Sequence, residues 1–272
     1  MNNQPTKAVM PYTSFLKSLV RNIYPLSLRE KIIHRLLDKV NLPHNDIQLA
    51  FNHNIRMDLS VADVGHQSIM LGGFYELALT KFISKQAKSG GLLVDVGANY
   101  GYYSLLWAAQ NPQNKVIAFE ASPQNIPALT YNIEKNNLSP AITIMPKAVC
   151  DYSGSIHFAC MNEEGQTGWG GISAQKNGTD IVVPCVTLDE YCHQNNITQI
   201  DFLKIDVEGA DTMVLRGAKK LLHQKRIKVI AFEVNKQRMA ALGIAENEAL
   251  DLLHHANYQT KSLNQSEYIA WS

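Results

Sequence analysis

The sequence lacks an excess of charge of either sign. Its 25 lysines and arginines nearly balance 24 aspartates and glutamates, which leaves a formal net charge of +1 at pH 7. An overall basic field of the kind that binds nucleic acid is therefore absent, and no nucleic-acid partner is expected. The chain also has no run of about 18 apolar residues and no convincing apolar signal core near its start. We therefore expect a cytoplasmic protein without a transmembrane segment.

Cysteine is scarce and is not arranged for metal binding or redox chemistry. None of the four cysteines forms a C-x-x-C pair, so neither a zinc knuckle nor a thioredoxin-type pair is indicated. Scattered cysteines in a chain of 272 residues are more often reduced core residues than a disulfide framework. The sequence therefore assigns no residue to a metal. With 46% apolar and 18% charged residues, the composition is that of a globular protein.

The first 60 residues are predicted to form an extension of helices and a short hairpin, ahead of a main domain over residues 61–272. Apolar residues recur at helical spacing over residues 15–23 and again over residues 32–40. Basic residues accompany both stripes. The stripes are expected to pack on the main domain or on a second subunit, which makes a homo-oligomer possible. Contact with a membrane surface is the alternative.

From residue 91 onward, short apolar strands alternate with helices. This alternation predicts an α/β fold with a doubly wound, mostly parallel, Rossmann-like sheet that helices cover on both faces. One predicted helix opens at the N-cap Ser122, with Pro123 at its first position, and another runs from Asp211 to Leu222. The last two runs, YQTKSL and EYIAW, are expected to pair antiparallel at the C-terminal edge of the sheet.

The central motif is the glycine loop VDVGANYGYYSL, which follows a buried strand and opens a helix. Ligands of doubly wound sheets bind at this first strand–helix turn, where glycines let the backbone approach them closely. The dinucleotide fingerprint G-x-G-x-x-G is absent, because Asn99 replaces its second glycine and Tyr102 its third. What remains is Asp-x-Gly-x-Asn-x-Gly, from Asp95 to Gly101. An acid beside the loop suits a cation such as S-adenosylmethionine and opposes a phosphate.

Glu120 ends the next predicted strand, 23 residues after Gly97. A carboxylate there can accept hydrogen bonds from both hydroxyls of a ribose. Because NAD and S-adenosylmethionine both carry a ribose, Glu120 indicates a nucleoside without choosing between them. The alternatives are therefore an NAD-dependent oxidoreductase and a catalytically silent nucleoside-binding or scaffold protein. The missing third glycine and the lack of a Tyr-x-x-x-Lys arrangement count against the first, and the intact acids count against the second.

Several segments of the chain resemble the FkbM family of S-adenosylmethionine-dependent methyltransferases. They lie within residues 70–235 and read VDVGANYGYYS, AFEASP, KAVCDYSGSIHF, VTLDEY and IDFLKIDVEGADTMVLRGAKKLL. The resemblance implies a class I methyltransferase fold and O-methylation of a hydroxyl on a sugar, glycoconjugate or natural product. The acceptor is thus expected to be a small molecule or a saccharide.

The resemblance also implies roles for individual positions. The glycine loop would line the methionine part of the cofactor, the acid after the second strand would hold the ribose, and the turn after the third strand would lie near the adenine. The acids after the fourth strand would face the transferred methyl group. The cofactor-binding positions implied in this way are Asp95, Gly97, Ala98, Asn99, Gly101, Glu120, Ala121, Lys147, Ala148 and Asp206.

Three carboxylates are candidates for the base that takes the proton of the acceptor hydroxyl. Asp206 and Glu208 leave the fourth predicted strand and Glu233 lies near the end of the fifth, so they are expected at one edge of the sheet. A positioned base typically accelerates such a step by about 10²–10⁴-fold. The same acids could hold Mg²⁺, which is possible but not indicated. Trp169, in a glycine-rich stretch, could stack on the acceptor. Lone histidines are more often structural, and this interpretation applies to His66, His157 and His193.

Overall fold

The computed structural model describes residues 13–36, 44–160, 170–173 and 180–272. Within these ranges the helices are α1 (Thr13–Arg21), α2 (Leu26–Leu36), α3 (Val64–Gly72), α4 (Leu77–Gln86), α5 (Tyr102–Ala108), α6 (Ile126–Lys135), α7 (Leu188–Gln194), α8 (Asp211–Arg216), α9 (Lys219–His223), α10 (Lys236–Ala241) and α11 (Glu248–His255), with a 3-10 turn at Ala87–Ser89. The strands are β1 (Ile47–Gln48), β2 (Arg56–Met57), β3 (Leu92–Val96), β4 (Lys115–Phe119), β5 (Ile142–Met145), β6 (Ala148–Val149), β7 (Gly154–Ala159), β8 (Gly171–Ile172), β9 (Ile181–Val186), β10 (Ile200–Ile205), β11 (Ile227–Glu233), β12 (Gln259–Ser262) and β13 (Glu267–Trp271).

The main sheet has seven strands in the order β12-β13-β11-β10-β3-β4-β5. β13 runs antiparallel to both of its neighbours, and the other paired strands are parallel. The prediction of a mostly parallel sheet with an antiparallel pair at its C-terminal edge is confirmed. The strand order reverses between β3 and β10, and ligands of doubly wound sheets bind outside the carboxyl ends of the strands at such a point.

Successive side chains of the central strands enter hydrophobic clusters on opposite faces of the sheet. Leu93 and Phe202 belong to the first cluster, whereas their neighbours Val94 and Leu203 belong to the second. Helices α1–α6 cover the first face and α7–α11 cover the second. This two-sided burial explains why the strands read as continuous apolar runs rather than as alternating ones, and it confirms the doubly wound fold.

A smaller sheet stands beside the carboxyl ends of the main strands. Its order is β6-β9-β7-β8, and a separate hydrophobic cluster that includes Ile156, Phe158 and Val183 holds it together. The two β-like runs predicted between the third and fourth strands are β7 and β9. This sheet matters for the site because Phe158 and Ile172 form part of the wall of a crevice there.

The prediction of a helix that opens at Ser122 with Pro123 is wrong. Helix α6 begins at Ile126 instead, and its N-terminal proline comes four residues later than predicted. The reason is that Glu120 binds the intervening turn: its Oε1 accepts a hydrogen bond from Ser122 N at 2.8 Å and one from Asn125 Nδ2 at 3.4 Å. A capping pattern in the sequence does not show this competing acceptor.

The single helix predicted from Asp211 to Leu222 is two helices, α8 and α9. They are separated at Gly217, where a Cβ atom would lie 2.0 Å from the carbonyl oxygen of Cys150. A close approach of the backbone to the smaller sheet therefore interrupts the helix. The segment GGFYELALTKFISKQ has the apolar spacing of an amphipathic helix, but its helix α4 begins only at Leu77, because Gly73 ends the preceding helix α3 with φ +82°.

The N-terminal helices pack on the first face of the main sheet. Val20 and Ile33 are buried in its hydrophobic cluster. Arg21 and Arg29 donate hydrogen bonds to the carbonyl oxygens of Gln48, at 2.8 Å, and Gly72, at 3.2 Å. Packing on the main domain is thus confirmed for residues 13–36, while residues 1–12 and 37–43 lie outside the described part of the chain. No helix in the described part is long and apolar enough to cross a membrane.

Candidate functional site

Two concave sites meet at the carboxyl ends of β3 and β10. We call them the crevice, which lies between the main sheet and the smaller sheet, and the cavity, which lies toward α3 and α4 and has a volume of about 410 Å³. Gly97, Asn99 and Asp206 line both of them. The crevice and the cavity therefore adjoin at these three residues.

The glycine loop is held in a conformation that requires its sequence. Gly97 has φ +78°, and a Cβ atom there would lie 2.0 Å from the carbonyl oxygen of Asp206. Asn99 and Gly101 also have positive φ, at 49° and 92°. The amides of Gly97 and Ala98 both donate to the carbonyl oxygen of Phe119 at 3.0 Å, which binds the loop to the end of β4. The loop thus presents an open backbone turn to the crevice.

Glu120 closes one side of the crevice. Its Oε2 accepts the amide hydrogen of Asn99 at 2.7 Å and its Oε1 that of Ser122 at 2.8 Å. Burial raises the pKa of Glu120, although these hydrogen bonds oppose the rise. Each carboxylate oxygen has about two acceptor positions. Because Oε1 also accepts a hydrogen bond from Asn125 Nδ2 at 3.4 Å, Oε2 is the oxygen that keeps a position for a ligand hydroxyl. Ala121, Lys147 and Ala148 line the same crevice, as the prediction that placed them near the cofactor requires.

A buried ammonium group connects the glycine loop to the end of β10. Lys204 is 3% exposed, and its Nζ lies 3.5 Å from Asp95 Oδ1, 3.3 Å from Asp206 Oδ2 and 2.9 Å from the carbonyl oxygen of Gly97. Burial lowers the pKa of Lys204, but Asp206 and Asp95 outweigh it and hold the pKa above its ordinary value. Asp95 is itself 1% exposed and accepts a hydrogen bond from Ser104 at 2.6 Å. The Asp95 carboxylate therefore stabilises the loop from the buried side.

The acids at the cavity are crowded. Burial, followed by the charge of Asp206, raises the pKa of Glu208 to about 8, although Arg238 lies 3.3 Å away. The same two causes raise the pKa of Glu233. Glu208 also has φ +56°, an uncommon conformation that directs the turn after β10. The crowding holds the carboxylates in an over-negative environment that a cation would relieve.

The structure brings most of the predicted site residues together. Asp206, Glu208 and Glu233 line the cavity, and Glu120 with its neighbours lines the crevice. Gly101 lies behind the turn against Leu129. His157 and His193 lie away from both sites, whereas His66 lines the cavity. Trp169 lies outside the described residues.

Sequence reasoning missed several residues of the site. Lys204 could have been noticed, because a lysine inside a strand predicted to be buried on both faces needs a counter-ion. Glu76, which accepts a hydrogen bond from Tyr103 at 2.7 Å, gave no such signal, and neither did Arg238. Within the described ranges, no group of three or more His, Cys, Asp or Glu side chains has an arrangement that could hold a metal ion.

The fold is that of a class I methyltransferase, and the two adjoining sites lie where that fold binds its ligands. A family model described as "Methyltransferase FkbM domain" matches residues 95–260. The chain belongs to the FkbM methyltransferase family, as the sequence motifs predicted. Membership implies S-adenosylmethionine as the methyl donor, and it favours a methyltransferase over an NAD-dependent oxidoreductase or a silent scaffold.

The chain shares little sequence identity with the relatives that follow. The 2-O-methyltransferase NoeI of Sinorhizobium fredii is 25% identical over 189 residues, which are 64% of this chain and 75% of that protein. The hexuronic acid methyltransferase AglP of Haloferax volcanii is 22% identical over 196 residues, 71% of this chain and 74% of that protein. A solved FkbM methyltransferase from Methylobacillus flagellatus is 14% identical with a TM-score of 0.45, and the match covers 67% of this chain and 44% of that one.

Proposed function

We propose that the protein transfers a methyl group from S-adenosylmethionine to a hydroxyl of a sugar, glycoconjugate or natural product. The observation that carries this proposal is the junction at Gly97, Asn99 and Asp206, where the crevice and the cavity adjoin. A donor in the crevice and an acceptor in the cavity would meet there, beside a carboxylate. The names of two relatives, a 2-O-methyltransferase and a hexuronic acid methyltransferase, support a hydroxylated acceptor of the sugar class.

The crevice residues fit this donor. When bound, S-adenosylmethionine supplies a methyl group on a positively charged sulfur. Glu120 would accept hydrogen bonds from the ribose, Ala121, Lys147 and Ala148 would lie along the adenine, and the Gly97–Gly101 turn would hold the methionine part. The excess of carboxylates at the junction supports a cationic ligand and opposes a pyrophosphate.

Asp206 is the base in this proposal. The acceptor oxygen forms a bond to the methyl carbon while the carbon–sulfur bond breaks and its electron pair stays on sulfur. The hydroxyl proton passes to Asp206, whose side chain is 35% exposed and therefore accessible from the cavity. Lys204 holds that carboxylate in place from the protein side. Orientation of the hydroxyl supplies a further part of the acceleration.

Glu208 and Glu233 are assigned supporting roles as acceptor-orienting acids. Glu208 lines the cavity but not the crevice, so it lies farther from the place where the methyl group is transferred. Burial and the charge of Asp206 raise the pKa of both carboxyls. The pKa of Glu208 is about 8, so near neutral pH Glu208 can donate a hydrogen bond to an acceptor oxygen. No metal is assigned a role, because Lys204 and Arg238 already neutralise Asp206 and Glu208.

Two measurements test the proposed function. Calorimetry should detect binding of S-adenosylmethionine and none of NAD. Incubation with methyl-labelled S-adenosylmethionine and hydroxylated acceptors should transfer label to oxygen. Micromolar NAD binding without S-adenosylmethionine binding would reject the assignment, and so would donor binding with label found on nitrogen or carbon.

A further inference from the structure

Seven of the nineteen residues that line the cavity precede the residues matched by the family model. Asp63, His66, Tyr75 and Glu76 lie on α3 and on the turn into α4, and all four line the cavity. None of them lines the crevice. These residues therefore belong to the wall of the cavity and not to the wall of the crevice.

His66 supplies a hydrogen-bond donor at the wall of the cavity. The residue is 5% exposed, and its Nδ1 accepts the amide hydrogen of Ser60 at 3.2 Å. Nδ1 must then be the unprotonated nitrogen, which leaves the proton on Nε2. Within the described part of the chain, Nε2 has no hydrogen-bond partner. Burial lowers the pKa of His66, so the ring stays neutral and donates through Nε2 without adding a positive charge.

The charges on the cavity wall are unequal. Five carboxylates line it against two cations, and both cations are already engaged: Lys204 with Asp95 and Asp206, and Arg238 with Glu208. An anionic acceptor would therefore enter a site whose two cations are already paired, and the described chain offers it no free cation. Burying a charge without a partner is strongly unfavourable. The carboxylates are Asp63, Glu76, Asp206, Glu208 and Glu233.

We propose that the cavity binds an uncharged or amino-bearing saccharide, with His66 Nε2 donating a hydrogen bond to one of its oxygens, and that it rejects uronic acids and phosphorylated sugars. This inference rests on the proposed function, because it describes the acceptor of the same reaction. This acceptor preference would distinguish the protein from AglP, the relative whose name specifies hexuronic acid. Specificity is then carried by α3 and the turn into α4, outside the matched domain.

The test uses the full-length protein and acceptors sorted by charge. A metabolite and glycan extract of the organism that makes the protein is separated by anion exchange into a non-anionic and an anionic fraction. Each fraction is incubated with methyl-labelled S-adenosylmethionine. Label in the non-anionic fraction, at least tenfold above the anionic fraction, is the expected result. Label confined to the anionic fraction would overturn the inference and leave the proposed function standing.

A lack of label in both fractions has a different meaning. If calorimetry shows that S-adenosylmethionine binds, that result rejects the hydroxylated acceptor of the proposed function and the inference with it. If S-adenosylmethionine does not bind, the donor assignment itself fails. The two kinds of failure are thus distinguishable.

Two variants examine the wall directly. Asp63→Asn keeps the N-cap of α3, because Asn caps a helix as well as Asp does, and removes one charge; it should raise the anionic to non-anionic labelling ratio at least threefold. His66→Asn keeps an acceptor for the Ser60 amide and removes the Nε2 donor; it should raise the acceptor KM three- to tenfold with donor affinity unchanged. The matched control is Glu134→Gln, an exposed acid on α6. The inference would be overturned if Asp63→Asn keeps the parental labelling ratio and His66→Asn keeps the parental acceptor KM, with the thermal unfolding of both variants also like that of the parent.

Discussion

The Nζ atom of Lys204 lies 3.3 Å from Oδ2 of Asp206 and also donates to the carbonyl oxygen of Gly97 at 2.9 Å. One buried ammonium group therefore fixes both the proposed base and the turn of the donor loop. On its other side it lies 3.5 Å from Asp95, which is almost fully buried. The relative position of donor and base thus depends on a side chain that is itself almost fully buried.

Replacing Lys204 by methionine should be strongly destabilising. The change leaves the buried Asp95 without a counter-ion, and breaking a buried ion pair from one side typically costs about 3–5 kcal/mol. Chemical denaturation measures the free energy of unfolding. The control is Lys228→Met, which breaks the exposed pair with Asp201, 2.6 Å apart, and should cost at most about 1 kcal/mol. Adding Asp95→Asn to the Lys204 variant should restore part of the loss. Equal losses in the two lysine variants would contradict the network.

Replacing Glu120 by glutamine should weaken binding of S-adenosylmethionine. A glutamine has one acceptor oxygen for the amides of Asn99 and Ser122, and it loses the charge-assisted hydrogen bonds to the ribose. A lost hydrogen bond to a charged group is worth about 1.5–3 kcal/mol, so calorimetry should show a dissociation constant raised by about 10- to 100-fold. Glu134→Gln should bind as the parent does. Parental affinity in Glu120→Gln would remove this residue from the ribose site.

The preference for the charged donor over its neutral product should depend on pH. The Glu208 carboxyl, with a pKa of about 8, is mostly protonated at pH 6 and mostly ionised at pH 9. A cation favours the ionised form, so affinity for S-adenosylmethionine should rise with pH through 8. Affinity for S-adenosylhomocysteine, which lacks the sulfonium charge, should change less. The dissociation constant of S-adenosylhomocysteine divided by that of S-adenosylmethionine, measured by calorimetry from pH 6 to 9, should therefore rise with pH. In Glu208→Gln this ratio should change little with pH. A parental ratio that is constant with pH would contradict this electrostatic account.

Local patterns predicted the part of the crevice wall from Gly97 to Glu120, because these residues are close in sequence. The strand, the turn and the helix around Gly97 form one continuous segment, and Glu120 ends the neighbouring strand, which pairs in register with β3. The wall of the cavity could not be predicted in this way. His66 and Glu76 reach it from α3 and α4, and no periodicity of those helices shows that they face the end of a strand more than 120 residues later.

The predicted helix boundaries were wrong where a distant group competes with the local signal. Ser122 has the chemistry of an N-cap, yet its amide is bound by Glu120 and the helix opens at Ile126. Gly217 sits inside an otherwise helical pattern, and only the carbonyl group of Cys150 explains why the helix stops there. The division at residue 60, the cytoplasmic location and the homo-oligomer stay predictions.

The metal requirement can be tested on the parent protein alone. Because Asp206 and Glu208 are neutralised by Lys204 and Arg238, we expect EDTA to leave methyl transfer unchanged. A loss of transfer that Mg²⁺ restores would assign these carboxylates to a metal instead of to proton transfer.

The most direct test of the account measures both the affinity of Asp206→Asn for S-adenosylmethionine and its turnover. The variant keeps the shape of the side chain and removes its charge, and the control is Asp251→Asn, an exposed acid on α11. With an acceptor that the parent methylates, the variant should bind S-adenosylmethionine within about tenfold of the parent, or 1.4 kcal/mol, and should lose at least about 100-fold in turnover. Turnover near that of the parent would contradict the claim that this carboxylate takes the acceptor proton where the crevice meets the cavity.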